Sequence, residues 1–262
     1  MGIESFSNIS ISGLLEFPEE QDDKWKKLKK NIKAITKRFL FDFSKFAKSF
    51  KLLSTMQLGA VLIIIITTVA VSVTAFKDKA LNEKLLFSPY KVQHDKEYLR
   101  LITHMFIHGD VFHLMFNMFS LYFLGTFLEN ELTNSIYFEP TQGMLHFLII
   151  YFFGGLFSTL IPFIRNKNNP GYRSLGASGG VSAVIFAAII WAPTLPLSIL
   201  FFPFPIPAYI FGPIYLAFEF WADRKGNTGI AHDAHIGGAI FGILYVLIIN
   251  IDKGKQFVDL IF

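Results

Sequence analysis

Residues 174–192 read Ser-Leu-Gly-Ala-Ser-Gly-Gly-Val-Ser-Ala-Val-Ile-Phe-Ala-Ala-Ile-Ile-Trp-Ala. They open a stretch of 45 residues, Ser174 to Phe218, without one charged side chain. Lys, Arg, Asp and Glu are costly in hydrocarbon, so charge-free runs of this length mark membrane spans. Forty-five residues hold two helical spans, at about 1.5 Å per residue across a core of about 30 Å. Pro193 and Pro196 supply the break between them. Working outward, four further gaps appear: Leu52–Phe76 with 25 residues, 111–128 with 18, 140–164 with 25 and 234–251 with 18. The pattern predicts an all-α integral membrane protein of six spans. The spans are helical because lipid offers backbone N–H and C=O groups no partner outside the segment.

Composition agrees. Of 262 residues 52% are hydrophobic and 31 are phenylalanine, and the mean hydropathy is +0.45. Charged residues make up 17%, against about 25% in soluble domains. The absence of cysteine excludes disulfides, thiolate zinc sites and thiol nucleophiles. The net charge of +4 does not imply a nucleic-acid partner, because it is concentrated: Lys24 to Lys51 carries 11 of the 24 basic residues and a single acid, Asp42. Within it Trp25, Leu28, Ile32, Ile35, Phe39, Phe43, Phe46 and Phe50 recur every three or four positions, the period of one helix face. This predicts an amino-terminal amphipathic helix on an anionic membrane surface, with a soluble coiled-coil arm as the alternative. The expected organisation is a cytoplasmic basic tail (1–51), a six-span core (52–251) and a short carboxy-terminal tail (252–262). The first apolar run starts too late for a cleavable signal peptide. Positive charge beside the first span favours a cytoplasmic amino terminus.

Spans two, four and six run in one direction, and each opens with an unusual polar cluster. Span two opens with His113-Leu-Met-Phe-Asn117, span four with Gly176-Ala-Ser178-Gly179-Gly180, and span six with His232-Asp-Ala-His235-Ile-Gly-Gly238. Alternation of the chain therefore brings all three clusters to one leaflet. A serine hydroxyl becomes a nucleophile when a base lies within hydrogen-bond reach, and imidazole is the usual base near neutral pH. Reaching that distance from two helices requires small residues at the contact. Gly176 and Gly179 on span four and Gly238 and Gly242 on span six provide them, the latter pair at GxxxG spacing. Ser178 at a helix start offers an orphaned backbone N–H to a developing oxyanion. His113 and Asn117, four apart on one face, are suitable further donors. Asp233 lies two residues from His235 and faces away from it, so the expectation is a Ser178–His235 dyad without a carboxylate.

The run His104-Met-Phe-Ile-His108…His113-Leu-Met-Phe-Asn117, then Gly176-Ala-Ser178-Gly179, then Ala234-His235-Ile-Gly-Gly238 resembles the rhomboid family of intramembrane serine proteases. Arg100, Gly125 and Glu129 fit the same pattern. The resemblance covers Met56 to Asn250. It implies a rhomboid-like bundle that hydrolyses peptide bonds within the membrane, with Ser178 as nucleophile, His235 as general base, and His113 and Asn117 lining the oxyanion hole. It also implies transmembrane protein substrates, no metal or organic cofactor, an embedded first loop (Lys77 to Thr103) and a gate formed by the fifth span and the loop near Trp221 to Ala231. By the same analogy the host is a bacterial plasma membrane. One position departs: the aromatic residue that many members carry four positions after the nucleophile is here Ser182.

Two other readings remain at this level. His104, His108, His113, His232 and His235 could gather as metal ligands in a transporter, although that leaves Ser178 and Asn117 unexplained. A catalytically silent rhomboid-like protein that binds membrane helices is the third class. His232, on the stripe of His235, competes for the base role, while His104 and His108 are expected to brace the first loop. His94 and His146 have no partner identifiable from sequence, and oligomeric state leaves no signal.

Overall fold

The computed structural model describes residues 59–197, 204–226 and 229–261. The amphipathic reading of residues 24–51 lies outside the described residues. The first long helix, α1 (Ala60–Lys77), leads into the short helices α2 (Lys79–Leu85), α3 (Pro89–His94) and α4 (Arg100–Thr103) of the first loop. The second long helix, α5 (Val111–Thr133), and the third, α6 (Pro140–Asn166), follow. Next come α7 (Ser178–Trp191), a two-residue antiparallel pairing of Pro196–Leu197 with Ile206–Pro207, and α8 (Ala208–Lys225). The last elements are α9 (His232–Ile249) and α10 (Ile251–Asp259), the latter lying in the expected carboxy-terminal tail from its second residue on.

Each uncharged gap holds a helix, and α7 ends at Trp191, just before Pro193. Among the described residues four helices, α1, α5, α6 and α9, are long and apolar enough to cross a membrane. The other two expected spans differ from the prediction for separate reasons. α7 has 14 residues and rises about 21 Å, short of a core of about 30 Å. α8 has 18 residues, but Glu219, Asp223, Arg224 and Lys225 crowd its last two turns.

α7 is the centre of the bundle. All but two of its residues are buried, among them Val181, Ala183, Val184, Ala187 and Trp191, and α6 and α9 flank it. Small residues make this possible. A Cβ on Gly154 of α6 would lie 2.3 Å from Ala183 Cβ, and one on Gly180 would lie 2.8 Å from Tyr151 O. On the far side, α5 relaxes into a π-helical turn at Leu121–Gly125. There Gly125 admits Val61 of α1, whose Cγ2 would stand 3.2 Å from an added Cβ. One turn on, the buried carboxylate of Glu129 accepts from the N–H groups of Ala60 and Val61. Gly59 brings no side-chain cap to α1, so Glu129 satisfies two of the four donors a helix start leaves orphaned.

The first loop is tied down by Arg100, which is 4% exposed. Its Nη1 donates to the carbonyls of Glu83 (2.7 Å) and Leu86 (2.8 Å), and its Nε pairs with Glu97.

Candidate active site

Ser178 is the first residue of α7, and the strand of chain before it is clamped from the first loop. Phe87 and Ser174 exchange both backbone hydrogen bonds, at 2.9 and 3.1 Å. The N–H of Gly176 donates to His104 O at 3.0 Å, and that of Ala177 donates to His108 Nε2 at 3.3 Å. Because Nε2 of His108 accepts, its proton sits on Nδ1, which donates to Ser72 Oγ (3.0 Å), and Ser72 in turn donates to Phe106 O (2.9 Å). Burial pushes His108 down to about 3, with the neighbouring His113 adding to the effect. Burial likewise lowers His104 to about 4. Both rings are therefore neutral near pH 7; His108 braces Ala177 through its ring, and His104 braces Gly176 through its carbonyl. Gly176 has φ +119°, and a Cβ there would meet His113 Cε1 at 2.8 Å and Nε2 at 2.9 Å. Glycine is required on both counts.

α9 meets α7 main chain to main chain. A Cβ on Gly238 would stand 2.0 Å from Gly179 O, and one on Gly242 would stand 2.1 Å from Ala183 O. Gly179 itself is enclosed by Ser158 of α6, whose Oγ would lie 2.1 Å from an added Cβ. This seam carries His235 to a cavity of about 750 Å³ whose wall also includes Ser178, His113 and Asn117. The structure thus brings all four sequence-selected polar residues to one space. Asp110 caps α5 by accepting from the N–H of His113 at 2.9 Å. The Gly109 N–H approaches His113 Nδ1 at 3.5 Å, which leaves Nε2 as the donor nitrogen of that ring. Asn117 Nδ2 donates one proton to His113 O (2.9 Å) and retains a second. Tyr172, also on the wall, is pushed up to about 12 by burial and by the charge of Asp233, so it stays a neutral hydroxyl.

Among the described residues no hydrogen bond joins Ser178 to His235. The imidazole is engaged elsewhere, by a residue the sequence reading missed. Glu219 of α8, 4% exposed, places Oε1 3.1 Å from His235 Nδ1 and Oε2 2.6 Å from His232 Nδ1. The expectation that no carboxylate reaches His235 is therefore corrected. In the sequence Glu219 is the charge that ends the uncharged run from Ser174 to Phe218. An acid just inside a span needs a partner, and that signal pointed to it. Asp233 instead joins Asp223 around Arg165, at 3.2 and 2.9 Å.

Of the two competing histidines, His235 lines both the cavity of Ser178 and a neighbouring one, whereas His232 lines the neighbouring one with Glu219 and not that of Ser178. Among the described residues, Glu219, His232 and His235 are also the group that could hold a metal ion, with donor atoms within 4.8 Å of one another. His104, His108 and His113 do not belong to that group. His146 finds a partner in the Tyr245 hydroxyl at 2.9 Å, and His94 packs on Tyr90 with ring centroids 4.4 Å apart. Ser182 is buried on α7.

A helical membrane bundle with a serine at the start of its short central helix and a histidine on the adjoining one defines a class of polytopic membrane proteins. A family model for the rhomboid domain matches residues 95–251, and the chain belongs to the rhomboid family. It is similar to RHOMBOID-like protein 12, mitochondrial, of Arabidopsis thaliana, with 32% identity over 149 residues, 53% of this chain and 43% of that protein. The human presenilin-associated rhomboid-like protein, mitochondrial, is 29% identical over 148 residues, 56% of this chain and 36% of that one. Rhomboid protein 1, mitochondrial, of Saccharomyces cerevisiae is 30% identical over 165 residues, 60% of this chain and 44% of that one. The chain spans less than half the length of each. These relatives are mitochondrial proteins of plant, animal and yeast, which overturns the expectation of a bacterial plasma membrane. The multi-pass membrane character stands.

Proposed function

We propose that the chain is a serine-type intramembrane endopeptidase that cleaves transmembrane protein substrates, using Ser178 as nucleophile and His235 as general base. The observation that carries this reading is the single cavity walled by Ser178, His235, His113 and Asn117, in a chain of the rhomboid family. Ser178 Oγ attacks the scissile carbonyl carbon while His235 Nε2 takes the hydroxyl proton. The oxyanion accepts hydrogen bonds from the Ser178 N–H, His113 Nε2 and the second amide proton of Asn117. Protonated His235 then gives its proton to the leaving amine, and water, deprotonated by the same nitrogen, releases the acyl group and restores the hydroxyl. Catalytic hydrogen bonds tighten on substrate binding, which accounts for a free serine beside an imidazole held by Glu219. The mitochondrial relatives support a mitochondrial membrane as the setting.

The test is cleavage of a single-span reporter by the full chain in liposomes. Ser178→Ala and His235→Ala abolish cleavage, and a fluorophosphonate labels wild type at Ser178 but not Ser178→Ala. Cleavage by Ser178→Ala at the wild-type rate refutes the assignment.

A further inference from the structure

Resting on that proteolytic reading, one side chain outside the serine–histidine pair has the geometry to control it. Glu219 reaches the site from α8, a third helix, and touches neither Ser178 nor the oxyanion donors. An ionised carboxylate only accepts hydrogen bonds. Its two oxygens, 3.1 Å from His235 Nδ1 and 2.6 Å from His232 Nδ1, therefore require a proton on both of those nitrogens. For His235 this fixes the neutral tautomer: Nδ1 carries the hydrogen and Nε2 bears the lone pair. That is the nitrogen a base must present to a serine hydroxyl.

Orientation follows from the same contact. The ring packed against His235 among the described residues is His232, edge-on with centroids 6.0 Å apart. No aromatic face holds the imidazole there, so its plane is set by the bond from Nδ1. Glu219 is itself held at both ends of its carboxylate and enclosed, 4% exposed, so it does not swing with solvent. His232, buried beside it, is the second anchor.

We propose that Glu219 is a positioning residue: through Nδ1 of His235 it fixes the tautomer and the plane in which Nε2 serves Ser178, so the site works as a serine–histidine–glutamate triad drawn from α7, α9 and α8. It stabilises the imidazolium that forms when the serine proton moves and does not itself take that proton.

The experiment measures kcat and KM of reporter cleavage, per folded molecule, for the full chain in liposomes. It compares wild type, Glu219→Gln, Glu219→Asp, Ser178→Ala and His235→Ala. Glutamine keeps the shape but can offer N–H groups toward Nδ1, so kcat falls roughly 10²-fold or more with KM unchanged. Fluorophosphonate labelling of Ser178 slows in parallel. Glu219→Asp, one methylene shorter with its charge intact, recovers at least part of the kcat lost in Glu219→Gln. Wild-type kcat in Glu219→Gln overturns the inference and leaves the protease reading standing. So does an aspartate variant no better than glutamine with both melting early, the pattern of a residue that only holds the helices together. Wild-type cleavage by Ser178→Ala or His235→Ala sinks the protease reading itself, whatever position 219 does.

Discussion

Replacing Gly238 by alanine tests whether main-chain contact between α7 and α9 sets the reactive geometry. The new Cβ would stand 2.0 Å from Gly179 O and 2.9 Å from Gly179 C. Neither atom belongs to a flexible side chain, so the two helices must part by about 1 Å before the contact reaches the shortest distances that proteins tolerate. Gly179 cannot retreat, because Ser158 of α6 closes its other side. Overpacking of this kind costs about 1–3 kcal/mol. Displacing a catalytic group by about 1 Å costs on the order of 10²-fold in rate. Gly238→Ala therefore lowers the unfolding temperature in detergent and reduces reporter cleavage by roughly two orders of magnitude. Ile248→Ala, on the same helix but 79% exposed, changes neither. Wild-type kcat and unfolding temperature in Gly238→Ala would refute the reasoning, because two backbones in contact cannot absorb a methyl group unnoticed.

Glu129→Ala strips the acceptor from the N–H groups of Ala60 and Val61 and is expected to cost about 2–4 kcal/mol. Glu129→Gln, which retains one acceptor oxygen, falls between it and wild type, and equal unfolding temperatures for all three would show that the cap is dispensable. The first-loop histidines give a pH signature. His104 is lowered to about 4 and His108 to about 3, below an unfolded value of about 6.5. Their contribution to stability is complete above the unfolded value and is lost as pH falls from there toward the folded values. For His104 alone the loss approaches about 3 kcal/mol by pH 4. Thermal unfolding followed between pH 7.5 and 4.5 should show the decline, reduced in His104→Gln, and a flat profile in wild type would contradict neutral burial of these rings.

Charge spacing made the helices legible. The gap from Ser174 to Phe218 held α7 and most of α8, and Pro193 marked the stop after Trp191. Alternation of direction was enough to send Ser178, His113, Asn117 and His235 to one end, since it needs only the number of helices between them. Contacts that depend on rotation about a helix axis were not legible. Glu219 lies 16 residues from His235 with a loop between, so no periodicity links them. His108 acts on Ala177 across 69 residues, through a first loop whose path is fixed by carbonyls bonded to Arg100, which no residue pattern encodes. The shortness of α7 comes from its start: residues 174–177 are uncharged but not helical, and charge spacing does not register where a helix begins.

The glycine seam also decides which parts of the molecule can yield. Two rods that touch through their own peptide groups have no slack, so neither can slide or roll without collision. On the proteolytic reading, a polypeptide arriving from the lipid therefore enters elsewhere than between α7 and α9. Stretching or thinning the surrounding bilayer should tilt the outer helices long before it disturbs the inner pair. Ser178 and His235 would then keep their spacing in membranes of quite different thickness.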